Sequence, residues 1–200
     1  MKKILLSVSL IALSVLAIFQ ATSAALQETV KVAGTSFGVS SDVTGGIVDT
    51  NTALKLFANL EGTASGSNLV DSVAGPSFSN MTTSWTDNYL VKVHNKSASP
   101  MDLIAMSEYI NDPDTLRDDI YVEIVEWDDV NSNGQLDDGE EGASHGYDTI
   151  LRLKNDTFNL GSIAANQTKG FAFKFDGSGL SEANQSMNAV YDFLIKGVTP

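Results

Sequence analysis

The chain has 200 residues and a formal charge of −13, from 25 acidic and 12 basic side chains, with no cysteine. That balance excludes nucleic-acid binding by phosphate neutralisation, and the missing cysteines exclude disulfide staples and cysteine-bound zinc. The length suits one domain with a core of its own. The acidity fits an exported chain kept soluble by charge, or subunits that need a divalent cation between them to pack.

Lys2 and Lys3 open the chain, an apolar run follows from Ile4 to Phe19, and Ala21, Thr22, Ser23, Ala24 and Ala25 close the segment. A charged start, an apolar centre and a small-residue end predict a secretory signal peptide over residues 1–24. The apolar run is shorter than the roughly 20 residues of a membrane span. Cleavage between Ala24 and Ala25 leaves small residues, Ala24 and Thr22, at the two positions a signal peptidase reads. The neighbouring bonds, Ser23–Ala24 and Ala25–Leu26, are alternatives. The chain then runs on as a strand-like segment with Leu26, Val30 and Val32 as its apolar residues, and residues 30–39 are predicted to be extended.

Short stretches with period-two alternation recur along the rest of the chain. Ala53–Asn59 carries Leu54 and Leu56 against Lys55 and Phe57. Residues 62–76 are rich in Gly, Ser and Asn and predict a long surface loop. Tyr89, Val91 and Val93 alternate with Leu90, Lys92 and His94. Met101–Ile110 follows a Ser-Ala-Ser-Pro turn, and Thr115–Asp118 suits a single helical turn. Ile120–Trp127 is the strongest strand pattern. Tyr147–Leu153, Phe158–Leu160, the triplet Phe171, Phe173 and Phe175, and the triplet Tyr191, Phe193 and Ile195 complete the series. About nine strands separated by turn signals predict an all-β fold, an antiparallel, jelly-roll-like β-sandwich.

Between two of these strands lies Asp129-Val-Asn131-Ser-Asn133-Gly134-Gln135-Leu136-Asp137-Asp138-Gly139-Glu140. It matches D-x-[DN]-x-[DN]-G-x5-E at every fixed position. The spacing follows from calcium's need for 6–8 oxygens at about 2.3–2.6 Å. A chain curling around the ion brings Asp129, Asn131 and Asn133 together, and Gly134 permits the sharp turn. Gln135 offers its carbonyl, Asp137 binds directly or through water, and Glu140 closes the sphere. Leu136 is placed to pin the loop to the protein. No helical pattern flanks the loop, so it predicts a structural Ca2+ site inserted at residues 128–141 rather than an EF-hand domain. The affinity expected for such an extracellular site is about 10⁻⁴–10⁻³ M.

The chain offers little other chemistry. Its two histidines, His94 and His145, form no H-E-x-x-H motif and are expected to be solvated. No Ser/His/Asp set, acid–base carboxylate pair or phosphate-cradling glycine motif stands out, and no enzyme activity is expected. N-x-[ST] occurs at Asn80, Asn95, Asn155, Asn166 and Asn184, possible glycosylation sites in a secreted chain.

Several stretches resemble the TasA/camelysin family of secreted, fibre-forming proteins of biofilm matrices and bundling pili. Ala24-Ala25-Leu26-Gln27-Glu28 followed by Gly34-Thr-Ser-Phe37-Gly38 keeps the spacing of that family's cleavage region and Gly-x-x-Phe-Gly. Leu26 and Glu28 stand where the family has an aromatic residue and Asp. Leu90 to Leu103 is similar to its strand–turn–strand hairpin. Leu160 to Phe175 is similar to its Leu-Gly-x-Leu-x-Pro-Gly pattern, with Ala165-Asn166 in place of Pro-Gly. Tyr191-Asp-Phe-Leu-Ile falls where the family's last strand falls.

The resemblance implies an extracellular fibre subunit that polymerises head to tail by strand addition after a signal peptidase has released its N-terminus. Residues 25–40 would be the donor segment, with Leu26, Val30, Val32 and Phe37 as its polymerisation residues, and residues 41–200 a single jelly-roll domain. The partners expected are the chain itself, the signal peptidase, and other matrix proteins or polysaccharide. Camelysin-type relatives carry a metalloprotease label, which the missing zinc motif opposes. A second reading is a calcium-stabilised binding module for polysaccharide or a cell-wall partner.

Overall fold

A computed structural model describes residues 27–37, 53–75, 77–78, 81–112, 115–181, 184 and 189–198. The segment expected to be a signal peptide, the cleavage site expected at Ala24–Ala25, Leu26 and the sequon at Asn80 lie outside them. The described residues form β1 (Gln27–Phe37), β2 (Leu54–Phe57), β3 (Leu69–Val70), β4 (Ser72–Ala74), β5 (Ser77–Phe78) and β6 (Thr86–Asn95). They continue with β7 (Met101–Asn111), β8 (Tyr121–Trp127), β9 (Glu141–Thr149), a helix α1 (Ile150–Asp156), β10 (Phe158–Ile163), β11 (Thr168–Asp176) and β12 (Ala189–Val198). No helix among the described residues is long and apolar enough to cross a membrane.

The strands form two sheets, ordered β10-β7-β12-β1-β4 with β5 also on β1, and β3-β2-β6-β11-β8-β9. Eight of them, β1 and β6 to β12, make two four-stranded layers, β10-β7-β12-β1 and β6-β11-β8-β9. Within that set the chain changes sheet at every connection except the β8–β9 hairpin, which is the jelly-roll path. All pairs are antiparallel except β1 with β4 and with β5.

The alternating aromatics hold the layers together. Phe171, Phe173 and Phe175 all enter the core from β11, and Tyr191, Phe193 and Ile195 meet them from β12. The Phe193 ring stands edge-on to Phe173 at 5.5 Å and to Phe175 at 5.4 Å between centroids. Such pairs add about 0.5–1.5 kcal/mol beyond the area they bury. From Ala189 to Ile195 every residue of β12 is buried, so this strand is covered on both faces. It is also paired on both edges, to β7 and to β1.

A second, smaller cluster sits on the outer face of the β6-β11-β8-β9 layer. Val125, Trp127 and Ala172 are buried there, with Leu60, Leu90 and Leu136 packed against them.

The structure departs from the alternation pattern in two places. Tyr147–Leu153 is not one strand: β9 ends at Thr149 and α1 begins at Ile150. The Thr149 hydroxyl caps the helix by accepting from the Arg152 amide at 3.3 Å. Ile150 and Leu153, spaced for one helix face, are both buried. Residues 62–76 carry a 3₁₀ turn at Gly66–Asn68 and the short strands β3 and β4 rather than loop alone.

Phe193 links both layers, so Phe193→Ala is expected to cost about 3–5 kcal/mol. Urea denaturation followed by circular dichroism measures it.

Candidate metal centre and assembly strand

The Asp129–Glu140 loop leaves β8 and re-enters β9 through a closed neck. Trp127 stands opposite Glu141 in the β8–β9 ladder, and the Asp128 amide donates to the Glu140 carbonyl at 3.0 Å. Inside the neck the chain turns with positive φ at Ser132 (59°), Gly134 (68°) and Gly139 (89°). The loop folds back over the outer face of its own sheet, where Leu136 joins the Trp127 cluster. Gly134 lies so close to the β2–β3 turn that a Cβ there would sit 3.1 Å from Leu60 Cβ and 3.2 Å from Glu61 Cγ.

Several of the expected ligands come together. Asn131 and Asn133 both donate their side-chain amides to Asp137 Oδ2 at 2.8 Å. The Asn131 and Asn133 side-chain oxygens accept from the amides of Asn133 (3.0 Å) and Gln135 (2.8 Å). Asp129 Oδ1 accepts from the Asn133 amide, and its Oδ2 from the Gly134 amide, each at 3.0 Å. Glu140 is turned elsewhere: its oxygens accept from Trp127 Nε1 at 3.2 Å, the Val130 amide at 3.0 Å and the Asp137 amide at 3.1 Å.

The donor set is all oxygen, as calcium prefers. Three side chains meet at Asp137 Oδ2, and turning the two Asn amides would put their oxygens there at the expense of the bonds those oxygens accept from the Asn133 and Gln135 amides. By that chemistry the residues fit a hard cation. Among the described residues no three His, Cys, Asp or Glu side chains gather into a metal-holding group.

One side chain at this centre has no counterpart in the motif. Lys92, from the middle of β6, donates to Asp129 Oδ2 at 2.6 Å and to the Leu60 carbonyl at 2.7 Å. Its ammonium also lies 5.2 Å from the Trp127 ring centroid. Burial pushes the Asp129 carboxyl up, but the bonds from Lys92 and from the Gly134 and Asn133 amides outweigh it, and it settles below the ordinary carboxylate range. The sequence signal for Lys92 is weak: a lysine between Val91 and Val93 reads as an outward-facing strand residue.

The other candidate residues scatter. β1, expected to stand apart as a donor arm, lies inside its own sheet. Val30 stands opposite Ile195, Val32 opposite Phe193 and Phe37 opposite Ala189 on β12. Val32 and Thr35 face Phe193 and Tyr191, so the chain bulges at Ala33–Gly34. On its other edge β1 runs parallel to Ser72–Ala74.

His94 is not solvated. It is buried and its Nδ1 lies 3.0 Å from Thr168 Oγ1. Burial, and then the Lys96 charge, push its imidazole below the usual value. His145 is largely covered too, edge-on to the Phe171 ring at 5.8 Å and 3.6 Å from Glu126 Oε1. His94 lies between β11 and β2, opposite Thr168 and Lys55.

Asn95 is fully buried, and its side-chain nitrogen donates to the carbonyls of Ser99 (2.8 Å) and Ala164 (3.2 Å). A glycan on that nitrogen would break both bonds and the burial. Asn184 donates to Asp119 Oδ2 at 2.8 Å and is half-buried. Asn155, on α1, and Asn166, in the turn before β11, are exposed.

Comparison with known proteins adds little. No family model matches the sequence, and no curated protein matches it. A crystal structure of a Burkholderia pseudomallei antigen and type I fimbria protein is similar over 88% of this chain and 99% of that one, at 16% identity. The TM-score is 0.22, a likeness that says nothing of fold or function.

Two outcomes follow from the loop's geometry. Gly134→Ala meets both a positive φ and the Leu60–Glu61 wall, whereas Gly139→Ala meets open space at a similar φ. Each is expected to lose about 1–2 kcal/mol to backbone strain, and Gly134→Ala more than Gly139→Ala in the same urea titration. The second outcome concerns pH. The Glu126 carboxyl is held low by Lys169, at 2.8 Å. For Asp129, and for Asp176 with its bonds from Ser178 and Tyr147, bonding overcomes burial and the carboxyl is also low. A depressed carboxyl contributes stability above its unfolded pKa, about 4, and loses it as pH falls through the lower folded value. The urea midpoint should therefore begin to fall below about pH 6.5, where the unfolded chain protonates His94 and the folded one does not, and fall further below about 4 as the carboxylates protonate, that second step less steep in Asp176→Asn.

Proposed function

We propose that this chain is a secreted structural subunit of an extracellular fibre or biofilm matrix, built by exchange of strand β1 between copies. The observation that carries the reading is the place of β1. It occupies a slot between β12 and β4, paired with β12 from Gln27–Val198 to Phe37–Ala189. Its next strand in sequence, β2, lies in the other sheet. Backbone pairing holds the slot, and pairing recognises any strand of this sequence, including that of a second copy. A subunit whose β1 has moved to a neighbour leaves β12 with an open edge, which the next copy fills. Each such contact is head to tail, so growth is open-ended.

In this reading a signal peptidase cleaves at Ala24–Ala25 and frees β1 to move. Leu26, Val30, Val32 and Phe37 are the donor's polymerisation residues, and the chain is its own main partner. Calcium, when bound, supplies positive charge to an acidic loop. Asp129, Asn131, Asn133, Asp137, Glu140 and the Gln135 carbonyl would hold it. The residues around that loop, chiefly Leu136 and Trp127, then fix it to the sheet. Asn155 and Asn166 are the exposed sequons a glycan would use.

A second reading, a binding module for polysaccharide, has one observation in its favour. A cleft of about 330 Å³ beside the loop is lined by Leu56, Phe57, Leu60, Val73, Tyr89 and Leu90.

Electron microscopy of negatively stained protein separates the two. Chain beginning at Ala25 is expected to form filaments, and chain beginning at Gly38, without β1, is not. Loss of filaments in chelator would make the Asp129–Glu140 loop part of assembly. Monomers from the longer form with and without calcium, combined with polysaccharide binding, would overturn the fibre reading in favour of the binding module.

A further inference from the structure

The Asp129–Glu140 loop already carries a cation of the protein's own. Lys92 is largely buried, with 13% of its side chain exposed, and the Asp129 side chain it meets is 2% exposed. A lysine this deep must replace its lost hydration. Here one carboxylate, one carbonyl and two ring faces do so: Asp129 Oδ2, the Leu60 carbonyl, Trp127 at 5.2 Å and Phe57 at 5.9 Å. The ammonium thereby ties three separate pieces of chain, β6, the β2–β3 turn and the loop, into one contact.

Asp129 is also the first residue of the calcium motif. The same carboxylate therefore faces an internal cation on Oδ2, while its Oδ1 is turned inward to the Asn133 amide. A carboxylate neutralised by lysine needs no metal to stay buried. A divalent ion binding the loop would lie across that carboxylate from a fixed positive charge, and like charges at such range oppose each other strongly where water is excluded.

We propose that Lys92 is the resident cation of this loop, holding it closed on the sheet without a divalent ion and weakening the binding of one. The inference rests on reading the loop as a calcium site, and it assigns that site its regulation. Calcium then adds to a loop that is already folded, so the site answers only to high calcium. Removing the lysine charge turns it into a tighter site whose order depends on the metal.

The test uses the full mature chain, Lys92→Met, which keeps the apolar stem, and Lys92→Gln, which keeps a donor for the Leu60 carbonyl. Calorimetric titration with calcium chloride gives affinity, and hydrogen exchange in chelator gives the order of the loop. In chelator the Asn133, Gly134 and Asp137 amides should be protected in the natural chain and exchange at least tenfold faster in both variants. Calcium should restore that protection, with a Kd at least tenfold lower than in the natural chain. Variants that bind calcium no more tightly than the natural chain overturn the inference. So does loop protection in chelator that the substitutions leave unchanged. A natural chain that takes up no calcium at 10 mM, roughly tenfold above the range of weak extracellular sites, overturns the calcium reading itself. The exchange comparison in chelator still decides separately whether Lys92 holds the loop.

Discussion

The structure depends on the need of β12 for a partner on each edge. Its residues from Ala189 to Ile195 are buried on both faces. Buried backbone N–H and C=O groups must be paired, and β7 serves one edge while β1 serves the other. Phe193, the residue that touches both Phe173 and Phe175, sits in the middle of this strand. A β12 left open on the β1 side would present an unpaired row of backbone groups beside an apolar core, the condition under which sheets recruit strands from other chains. The fold therefore requires a β1, but pairing alone does not require that it belong to the same molecule. That freedom is the physical basis of the fibre reading.

The other layer solves a different problem. Its outer face carries Val125, Trp127 and Ala172, which would be exposed on a bare sheet. The Asp129–Glu140 loop folds back over them, with Leu136 as the apolar contact and Glu140 accepting the Trp127 indole N–H. The loop thus has a structural task before any metal is considered. Lys92 explains how an acidic segment can lie against a sheet: one buried ammonium compensates the carboxylate buried with it. A buried pair of this kind is costly to break by removing one partner, because the other is left charged without compensation.

The legible parts of the sequence were those where a period carries the information. β8, β11 and β12 each carry an alternating set of large apolar residues, and the structure forms strands where those sets fall. The break between β8 and β9 was legible because its Asn, Asp and Gly residues mark a turning chain. β9 was not, since Glu141–Gly146 holds no alternating apolar residue to mark it. α1 was hidden because Ile150 and Leu153 suit a strand or a helix, and only the Thr149 cap decides between them. His94 and Asn95 mislead for one reason. Polar residues near a strand end read as exposed, but this end of β6 lies between β2 and β11, and Val93, His94 and Asn95 are all buried. Lys92 and the grip of Glu140 on Trp127 are tertiary facts that local pattern does not carry.

The central claim, exchange of β1 between copies, is tested most directly by disulfide trapping in a chain that has no cysteine of its own. Thr29 on β1 faces Lys196 on β12, and opposite residues of an antiparallel pair are close enough for a disulfide. Filaments would be grown from an equal mixture of Thr29→Cys chains and Lys196→Cys chains and then oxidised. Exchange predicts covalent dimers that join one chain of each kind. Filaments that yield no such dimer, while a chain carrying both substitutions closes only on itself, would contradict it.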